Sequence, residues 1–197
     1  MEKNKILYNI YKYILGIFFI VYYRPKFINK HYIPKTGPTI ICGNHIHLFD
    51  QCLPILSTKR MIHYMAKREY FDGNLAWFFK SSGCISVDRS IHDDTAKGKA
   101  LDVLKDGGAI GLFPEGTRNK TDAFLLPFKF GAVSMAQKTN SMIVPFGISG
   151  DYKFRSKNLR VHIGKPFSIK DMTLEEANKK LEKEIGKLIK KGQAMDK

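Results

Sequence analysis

The sequence has few cysteines and lacks the short motifs that mark nucleotide binding or covalent serine chemistry. Its three cysteines, Cys42, Cys52 and Cys84, form no C-x-x-C pair, and their odd number argues against a disulfide framework. We therefore expect three reduced thiols. The chain contains no Walker A loop, no G-x-G-x-x-G fingerprint and no G-x-S-x-G elbow. These absences argue against nucleotide-dependent chemistry and against a mechanism that forms a covalent intermediate on a serine.

Acidic residues are also scarce. The 197 residues include 18 Asp and Glu against 33 Lys and Arg, which gives a formal net charge of +15. Such an excess favours an anionic partner: nucleic acid, an anionic membrane surface or a phosphate-bearing substrate. The chain has no arginine-rich tract, zinc finger or RNP-type motif, so we expect no nucleic-acid partner. The length and a hydrophobic share of 44% suit one packed globular domain.

The longest apolar run is Ile6–Tyr23, which is rich in aromatic residues but contains Asn9, Lys12 and Gly16. As a helix it would extend about 27 Å, slightly less than a hydrocarbon core of about 30 Å. The lysine makes a simple crossing costly, and no small-residue cleavage site follows the run. The aromatic content and the flanking basic residues favour a helix that lies in or dips into the membrane interface. A buried core helix is the alternative.

Predicted strands and helices alternate along the rest of the chain. Short apolar runs indicate strands at 39–43, 63–67, 83–89, 109–113, 142–148 and 159–163. Helices are indicated at 47–56, 69–80, 94–105, 131–138 and from 173, and residues 26–38 read as a connector. This alternation predicts an α/β fold: a mixed, mostly parallel sheet flanked by helices, with an N-terminal membrane-associating helix. The expected division is an anchoring helix at 1–25 and a second domain at 26–197.

A candidate acid–base pair, His45 and Asp50, follows the first of these strands. A neutral imidazole can take a proton from an alcohol near pH 7, and a carboxylate on its other nitrogen fixes the tautomer. On one continuous helix, the five-residue spacing would separate the two side chains by about 140°. The pair therefore requires His45 at the strand exit and Asp50 in the first turn of the following helix.

The same segment offers a metal site as an alternative, with His45, His47, Asp50 and Cys52 as ligands. The spacing resembles the H-x-H-x-D of metal-dependent hydrolases but differs by one position. Such sites need further ligands downstream, and the remaining histidines show no ligand-like pairing. We therefore expect no metal, and a metal-dependent hydrolase is the less favoured hypothesis.

A second constellation, Phe113-Pro114-Glu115-Gly116-Thr117-Arg118, follows a buried strand, where α/β proteins place ligands. Gly116 allows the backbone to turn or to approach a ligand closely. Glu115 can accept hydrogen bonds from hydroxyls, and Arg118 offers a planar set of donors that suits a phosphate. A tight turn with an exposed arginine is the alternative.

Further cations stand at or near strand ends. Lys67 and Arg89 each end a strand-like run, and Lys129 lies in the segment 127–131. If the strands are neighbours, Lys67, Arg89 and Arg118 could converge on one dianion, with Lys129 as a fourth candidate. Taken singly, each of them is more typical of a solvated surface charge.

Four blocks in this order resemble the bacterial 1-acyl-sn-glycerol-3-phosphate (lysophosphatidic acid) acyltransferases of the glycerolipid acyltransferase family. The resemblance covers about residues 39–166, and its third block is the most specific. The blocks are Asn44-His45…Asp50, Gly83…Val87-Asp88-Arg89, Phe113-Pro114-Glu115-Gly116-Thr117-Arg118 and Ile143-Val144-Pro145-Phe146-Gly147.

The resemblance implies an O-acyltransferase of phospholipid biosynthesis. It would transfer an acyl chain from a thioester of acyl carrier protein or coenzyme A to the 2-hydroxyl of 1-acyl-glycerol 3-phosphate, giving phosphatidic acid. His45 would be the general base and Asp50 its orienting partner, with direct attack and no acyl-enzyme. The substrate phosphate would be held by Arg118, Lys67 and Arg89. The substrate pocket would be lined by Asn44, Glu115, Gly116, Thr117 and Lys129. No cofactor or metal is implied beyond the thioester co-substrate.

The resemblance also implies an N-terminal membrane anchor. We therefore expect an anionic membrane surface as a partner and a monotopic or peripheral location at the cytoplasmic face of the cell membrane. The alternatives within the transferases are glycerol 3-phosphate or another lysolipid as acceptor. A non-catalytic, basic membrane-binding module is a further alternative. His47 departs from the family, which often has a small polar residue there, and its imidazole could compete for Asp50 or shift its pKa.

Overall fold

Seven strands form one sheet in the part of the chain that this computed structural model describes, residues 2–88, 90, 91 and 93–195. Their order in the sheet is β1-β7-β6-β2-β5-β3-β4, and the pairs are parallel except β6 with β7. The predicted mixed, mostly parallel α/β sheet is confirmed. The strands are β1 (Lys26–Ile28), β2 (Thr39–Gly43), β3 (Ile62–Lys67), β4 (Ile85–Val87), β5 (Ala109–Leu112), β6 (Met142–Ser149) and β7 (Arg160–Ile163).

Helices cover both faces of the sheet. They are α1 (Glu2–Tyr23), α2 (Cys52–Ser57), α3 (Ala76–Ser81), α4 (Asp94–Lys105), α5 (Gly131–Thr139) and α6 (Leu174–Ala194). Because side chains alternate along a strand, successive residues of β2 enter different cores. Ile40 is buried with α4, α5 and α6, whereas Ile41 is buried on the other face with Phe19 of α1 and Leu53 of α2.

The carboxyl ends of three adjacent strands lie at the same edge of the sheet. β6, β2 and β5 are neighbours and run parallel, so the segments that follow them, 150–158, 44–51 and 113–119, meet at this edge. Loops at the carboxyl ends of parallel strands are where open α/β sheets bind ligands. This edge therefore brings the two predicted constellations together.

Three local predictions differ from the structure. The segment 26–38 contains β1, which pairs with β7 through contacts such as Lys26 with Arg160. The predicted helix at 69–80 is instead a 3-10 turn at 68–71 followed by α3, with Gly73 between them. The predicted helix at 47–56 begins only at Cys52, because Asp50 binds the backbone before it.

The last helix begins as the sequence predicts. Thr173 accepts a hydrogen bond from the backbone N–H of Glu176, and the Glu176 carboxylate accepts one from the backbone N–H of Thr173. This reciprocal capping box binds two donors that a helix start leaves unpaired. The capping-box prediction is therefore confirmed.

Helix α1 packs lightly on the domain and leaves most of its apolar surface exposed. Its inner side contacts the domain through Tyr8, whose hydroxyl accepts from the N–H of Ile62, and through Lys12, which donates to the carbonyl of Thr58. Its segment Lys5–Tyr23 is long and apolar enough to cross a membrane, and only 17% of it is buried. The division into an anchor at 1–25 and a domain at 26–197 stays a prediction.

Candidate active site

The Asp50 carboxylate is fully buried at the centre of a hydrogen-bond network. Its Oδ2 accepts from Nδ1 of His45 at 2.8 Å and from the backbone N–H groups of Ile46 and His47 at 2.6 and 2.7 Å. Its Oδ1 accepts from the Tyr152 hydroxyl at 2.6 Å. A carboxylate accepts, so Nδ1 of His45 donates and Nε2 keeps its lone pair. The predicted pair is therefore in contact, with the second ring nitrogen free to take a proton.

The His45 ring is held by aromatic stacking as well as by its hydrogen bond. It stacks on Phe113, with ring centroids 4.0 Å apart and planes 11° apart, and its side chain is 18% exposed. Phe113 in turn packs on Tyr64 and Phe146, so the stack extends into the sheet core. Stacking and hydrogen bonding together leave the imidazole little freedom to rotate. Sequence patterns alone assign Phe113 no role of its own.

The backbone of His45 is bound on both sides by the loop that follows β5. Its N–H donates to Oε1 of Glu115 at 2.7 Å, and its carbonyl accepts from the N–H of Asn119 at 2.7 Å. The other Glu115 oxygen accepts from the N–H of Leu126 at 2.9 Å. Burial raises the pKa of Glu115, and these two backbone donors act against that rise. Glu115 is therefore a buried group that fixes the backbone of His45.

Asn44 lies one residue before the base and is buried. Its amide nitrogen donates to the carbonyl of Ile148 at 3.0 Å, and its amide oxygen accepts from the N–H of Ile148 at 2.7 Å. The side chain thus continues the pairing of β2 with β6 past Gly43, where the backbone pairing ends. Both ends of the amide are therefore bound to the main chain, and the expected place of Asn44 in the substrate pocket stays a prediction.

Gly116 and Lys129 are in contact. Gly116 has φ of +72°, and a Cβ there would lie 2.8 Å from Cε of Lys129. A side chain at this position would meet both backbone strain and the lysine. The N–H of Lys129 also donates to the carbonyl of Pro114 at 2.8 Å. Gly116 therefore lets the Lys129 side chain lie across the turn that carries Glu115.

The other predicted phosphate and pocket residues that the structure describes, Thr117, Arg118 and Lys67, are exposed and lie in two places. Thr117 and Arg118 are exposed in the loop after β5, and Arg118 lies close enough to His47 to affect its titration. Lys67 lines a separate open cavity of about 360 Å³ with Arg68, Glu69, Asp72, Asp88 and Ser90. Arg89 lies outside the described residues. Convergence of Lys67, Arg89 and Arg118 on one dianion stays a prediction.

His47 takes a place that the sequence analysis did not foresee. Its ring stacks on Tyr152 at 4.0 Å and 15°, and it is the backbone N–H of His47, not the ring, that binds Asp50. Burial lowers the pKa of His47; nearby Arg118 and His45 lower it further, and Asp50 opposes them. His47 is therefore neutral near pH 7, and its ring does not compete with His45 for the carboxylate.

Tyr152 is the member of the network that sequence reasoning missed. It lies in the segment after β6, 102 residues from Asp50, and belongs to no motif in the sequence. Burial and the neighbouring Asp50 raise its pKa well above the usual value for tyrosine. The hydroxyl therefore stays protonated and donates. The only sequence signal was its position after an apolar strand.

An apolar cleft of about 150 Å³ lies between α1 and the helices α2 and α3. Its walls include residues of α1 and, on the domain side, Cys52 and Tyr64. Cys52 follows the segment that carries Asp50, and Tyr64 packs on Phe113, so two walls of the cleft adjoin residues of the site. Its surface is mostly apolar and could receive a hydrocarbon chain.

The described residues contain no group of three His, Cys, Asp or Glu side chains arranged to hold a metal ion. His45 and His47 point their rings at different partners, Phe113 and Tyr152. The metal-dependent hydrolase hypothesis therefore has no ligand set in this part of the chain.

Comparison with known proteins points to one family. The family model described as Acyltransferase matches residues 24–149. The 1-acyl-sn-glycerol-3-phosphate acyltransferase of Bacillus subtilis (strain 168) is 31% identical over 147 residues, covering 72% of this chain and 72% of that protein. The enzyme of that name from Borreliella burgdorferi is 34% identical over 137 residues, covering 67% of this chain and 54% of that protein.

A solved structure has the same fold. The crystal structure of the 1-acyl-sn-glycerophosphate (LPA) acyltransferase PlsC from Thermotoga maritima matches with a TM-score of 0.78. The match covers 97% of this chain and 80% of that one, at 22% sequence identity. At this identity the likeness concerns the architecture, including the sheet and the helix that precedes it.

Proposed function

Because the chain belongs to the acyltransferase family, we propose that it transfers an acyl chain from a thioester to the 2-hydroxyl of 1-acyl-glycerol 3-phosphate, forming phosphatidic acid. The observation that carries the proposal is the 2.8 Å contact between Nδ1 of His45 and the buried Asp50 carboxylate. This contact leaves Nε2 of a half-buried imidazole as a proton acceptor. The names of the relatives support lysophosphatidic acid as the acceptor.

In the proposed reaction, Nε2 of His45 takes the proton of the 2-hydroxyl as that oxygen attacks the thioester carbonyl carbon. A C–O bond forms and the C–S bond breaks. The thiolate that leaves takes the proton back from the imidazolium. Asp50 stabilises that imidazolium and fixes its orientation. His45 returns to its starting state with no covalent intermediate, and the only co-substrate is the thioester.

The cations at this edge of the sheet would bind the glycerol phosphate. Arg118 lies close enough to His47 for its charge to affect that imidazole, and Lys129 crosses the turn at Gly116. Planar guanidinium donors and lysine point charges both suit a phosphate dianion. Lys67, at the carboxyl end of β3, is a further candidate. Arg89, which lies outside the described residues, is another on the strength of the sequence alone. The acyl chain of either substrate would have the apolar cleft beside α1 available to it.

We also propose that the enzyme acts at the cytoplasmic face of the cell membrane, as a monotopic or peripheral protein. The large exposed apolar side chains of α1 support this location, and so does the formal net charge of +15. Lysophosphatidic acid and phosphatidic acid both reside in membranes, so this location would spare the enzyme from extracting them into water.

A panel of acceptors and donors tests the proposed function. The purified chain would be given lysophosphatidic acid, glycerol 3-phosphate or a lysophosphatidylcholine, each with acyl carrier protein and coenzyme A thioesters. Mass spectrometry would identify the products. We expect phosphatidic acid from lysophosphatidic acid with at least one donor. If glycerol 3-phosphate were the one acceptor acylated, it would replace lysophosphatidic acid as the proposed acceptor. Transfer to none of the three acceptors would contradict the proposal.

A further inference from the structure

The loop after β6, residues 151–158, places an exposed aromatic side chain against the C-terminal end of α1. Phe154 is 62% exposed, and its ring lies 5.0 Å from that of Tyr22, which is itself 49% exposed. The N–H of Arg155 donates to the carbonyl of Tyr22 at 2.7 Å. One turn earlier on α1, Phe18 is 71% exposed. Phe154 therefore extends the exposed apolar face of α1 onto the catalytic domain.

Exposed cations flank these two aromatic residues along the chain. Lys153, Arg155 and Lys157 are exposed in the loop, and Arg24 and Lys26 are exposed just beyond α1. The Arg155 guanidinium lies 5.7 Å from the centre of the Phe154 ring. The loop's one carboxylate, Asp151, is 3.8 Å from Lys153 in an exposed ion pair, which is weak in water. Exposed aromatics at the end of an apolar helix, ringed by cations, are typical of groups at the headgroup level of a membrane.

The loop is held in this shape by its own hydrogen bonds. The N–H of Asp151 donates to the Asn158 side chain at 3.1 Å, and the Ser156 hydroxyl donates to the carbonyl of Asp151 at 3.0 Å. Arg155 and Lys157 both have positive φ, of 50° and 60°. A loop with this many internal bonds loses little conformational entropy on binding. The contact surface is therefore formed before any ligand arrives.

We propose that residues 151–158 form a second membrane-contact surface, continuous with α1, which binds anionic lipid headgroups through its cations and inserts Phe154 at the interface. A lipid surface fits better than a protein partner because the apolar part is continuous with a helix that could itself enter a membrane. The charge of the patch is also opposite to that of anionic lipids.

The position of this surface bears on the chemistry, a consequence that rests on the proposed function. Tyr152 belongs to the same loop, and its hydroxyl donates to Asp50. The proposed membrane-contact surface therefore includes a residue that holds the carboxylate beside His45. A lysolipid in the leaflet would meet His45 at the edge of the bilayer, with its phosphate at the level of the surrounding cations.

Fluorescence from a single tryptophan tests the contact. The chain has one tryptophan, Trp77, so Trp77→Phe gives a background without tryptophan. In that background, Phe154→Trp reports on the loop, and Phe124→Trp is the matched control. Phe124 is also an exposed phenylalanine beside a lysine, Lys190, but it packs on α6, across the sheet from α1.

Each variant would be mixed with vesicles of phosphatidylcholine and phosphatidylglycerol, with and without brominated acyl chains. We expect a blue shift and about a twofold loss of emission in brominated vesicles for Phe154→Trp, and neither change for Phe124→Trp. Unquenched emission from Phe154→Trp, on protein that still sediments with the vesicles, would overturn the proposal. So would a blue shift without vesicles that grows with protein concentration, because it would show contact with a second copy of the chain.

The cations are tested by a triple variant, Lys153→Gln, Arg155→Gln and Lys157→Gln. Its control removes the same number of exposed charges elsewhere, with Lys138→Gln, Lys179→Gln and Lys183→Gln on α5 and α6. The loop variant should bind anionic vesicles about 10- to 100-fold more weakly than the control. Equal binding by the two would overturn the proposal. These measurements require no turnover, so failure of acyl transfer in the wild type would be seen separately.

Discussion

The hydroxyl of Tyr152 donates a 2.6 Å hydrogen bond to Oδ1 of Asp50, and the other oxygen of Asp50 holds the His45 imidazole at 2.8 Å. The carboxylate is thus bound on one side by the base and on the other by a tyrosine 102 residues away. A buried carboxylate with donors on both oxygens cannot turn away from the imidazole without losing a bond. Tyr152 is therefore a positioning residue for the base.

Replacing this tyrosine should weaken the chemical step more than substrate binding. Tyr152→Phe keeps the ring that stacks on His47 but removes the donor to a fully buried carboxylate. A hydrogen bond to a charged group is worth about 1.5–3 kcal/mol. If about half of that is lost from the transition state, kcat for acyl transfer falls by about 4- to 12-fold. Steady-state kinetics should show this fall with KM for lysophosphatidic acid little changed. A raised KM at normal kcat would assign the tyrosine to substrate binding instead.

Removing the Asn44 amide should destabilise the fold. In Asn44→Leu, the N–H and the carbonyl of Ile148 both lose their partners inside the protein. Each unpaired buried group costs about 1–3 kcal/mol. Urea denaturation should therefore give a free energy of unfolding lower by about 2–5 kcal/mol. The matched control is Asn74→Leu, at an exposed asparagine in the turn before α3, which should stay within about 0.5 kcal/mol of the wild type. Equal stability of the two variants would contradict the positioning role.

Stability should fall as the pH drops below about 6.5. Burial lowers the pKa of three histidines in the folded chain, His47, His63 and His162. Near pH 6.5, the usual value, the unfolded chain therefore binds more protons at these imidazoles than the folded chain does. Where the unfolded state binds more protons, the free energy of unfolding decreases as the pH falls. Thermal unfolding at pH 7 and pH 5 should show a lower Tm at pH 5.

His162 allows part of this fall in stability at low pH to be assigned to one residue. His162 is buried between β7 and α6, and nearby Arg160 and Lys191 also lower its pKa. In His162→Leu, the difference in Tm from wild type at pH 8 measures packing alone, because the imidazole is neutral there. The loss of Tm between pH 7 and pH 5 should then be smaller in the variant. If the variant lost as much Tm between pH 7 and pH 5 as the wild type does, His162 would not contribute to the fall in stability.

Arg118 should affect the phosphate substrate and leave the thioester unaffected. It is exposed in the loop after β5, on the side of His47. Arg118→Ala should raise KM for lysophosphatidic acid by about tenfold and change KM for the thioester little, since it removes a donor set suited to phosphate. Lys120→Ala, an exposed cation two residues away, is the matched control and should behave like the wild type. An unchanged KM for lysophosphatidic acid would count against the phosphate role.

Local patterns predicted the features that depend on neighbouring residues. The capping box of Thr173 and Glu176 and the strand before His45 could be read directly, because helix caps and apolar runs act over a few positions. The contact between His45 and Asp50 was foreseen as a strand-exit arrangement. Asp50 lies just before the helix and not in its first turn. Its carboxylate accepts a hydrogen bond from the backbone N–H of Ile46, which makes the segment before α2 a turn.

The features that sequence reasoning missed depend on distant parts of the chain. Strand β1 is three residues long and exists because β7 lies beside it. Asn44 meets Ile148, and Asp50 meets Tyr152, only because β6 is the neighbour of β2 in the sheet. Nothing within a window of the sequence specifies that neighbour. The family resemblance predicted His45 as the base, but not the tyrosine and asparagine that contact the segments around it.

The central claim is that His45 is the general base of acyl transfer, and a single-turnover assay on His45→Ala tests it most directly. His31→Ala, at an exposed histidine outside the site, is the matched control, and circular dichroism with thermal unfolding would establish that both variants fold. We expect phosphatidic acid formation from lysophosphatidic acid to fall by about 10²- to 10⁴-fold in His45→Ala and to stay near wild type in His31→Ala. Transfer by a folded His45→Ala at close to the wild-type rate would contradict the account.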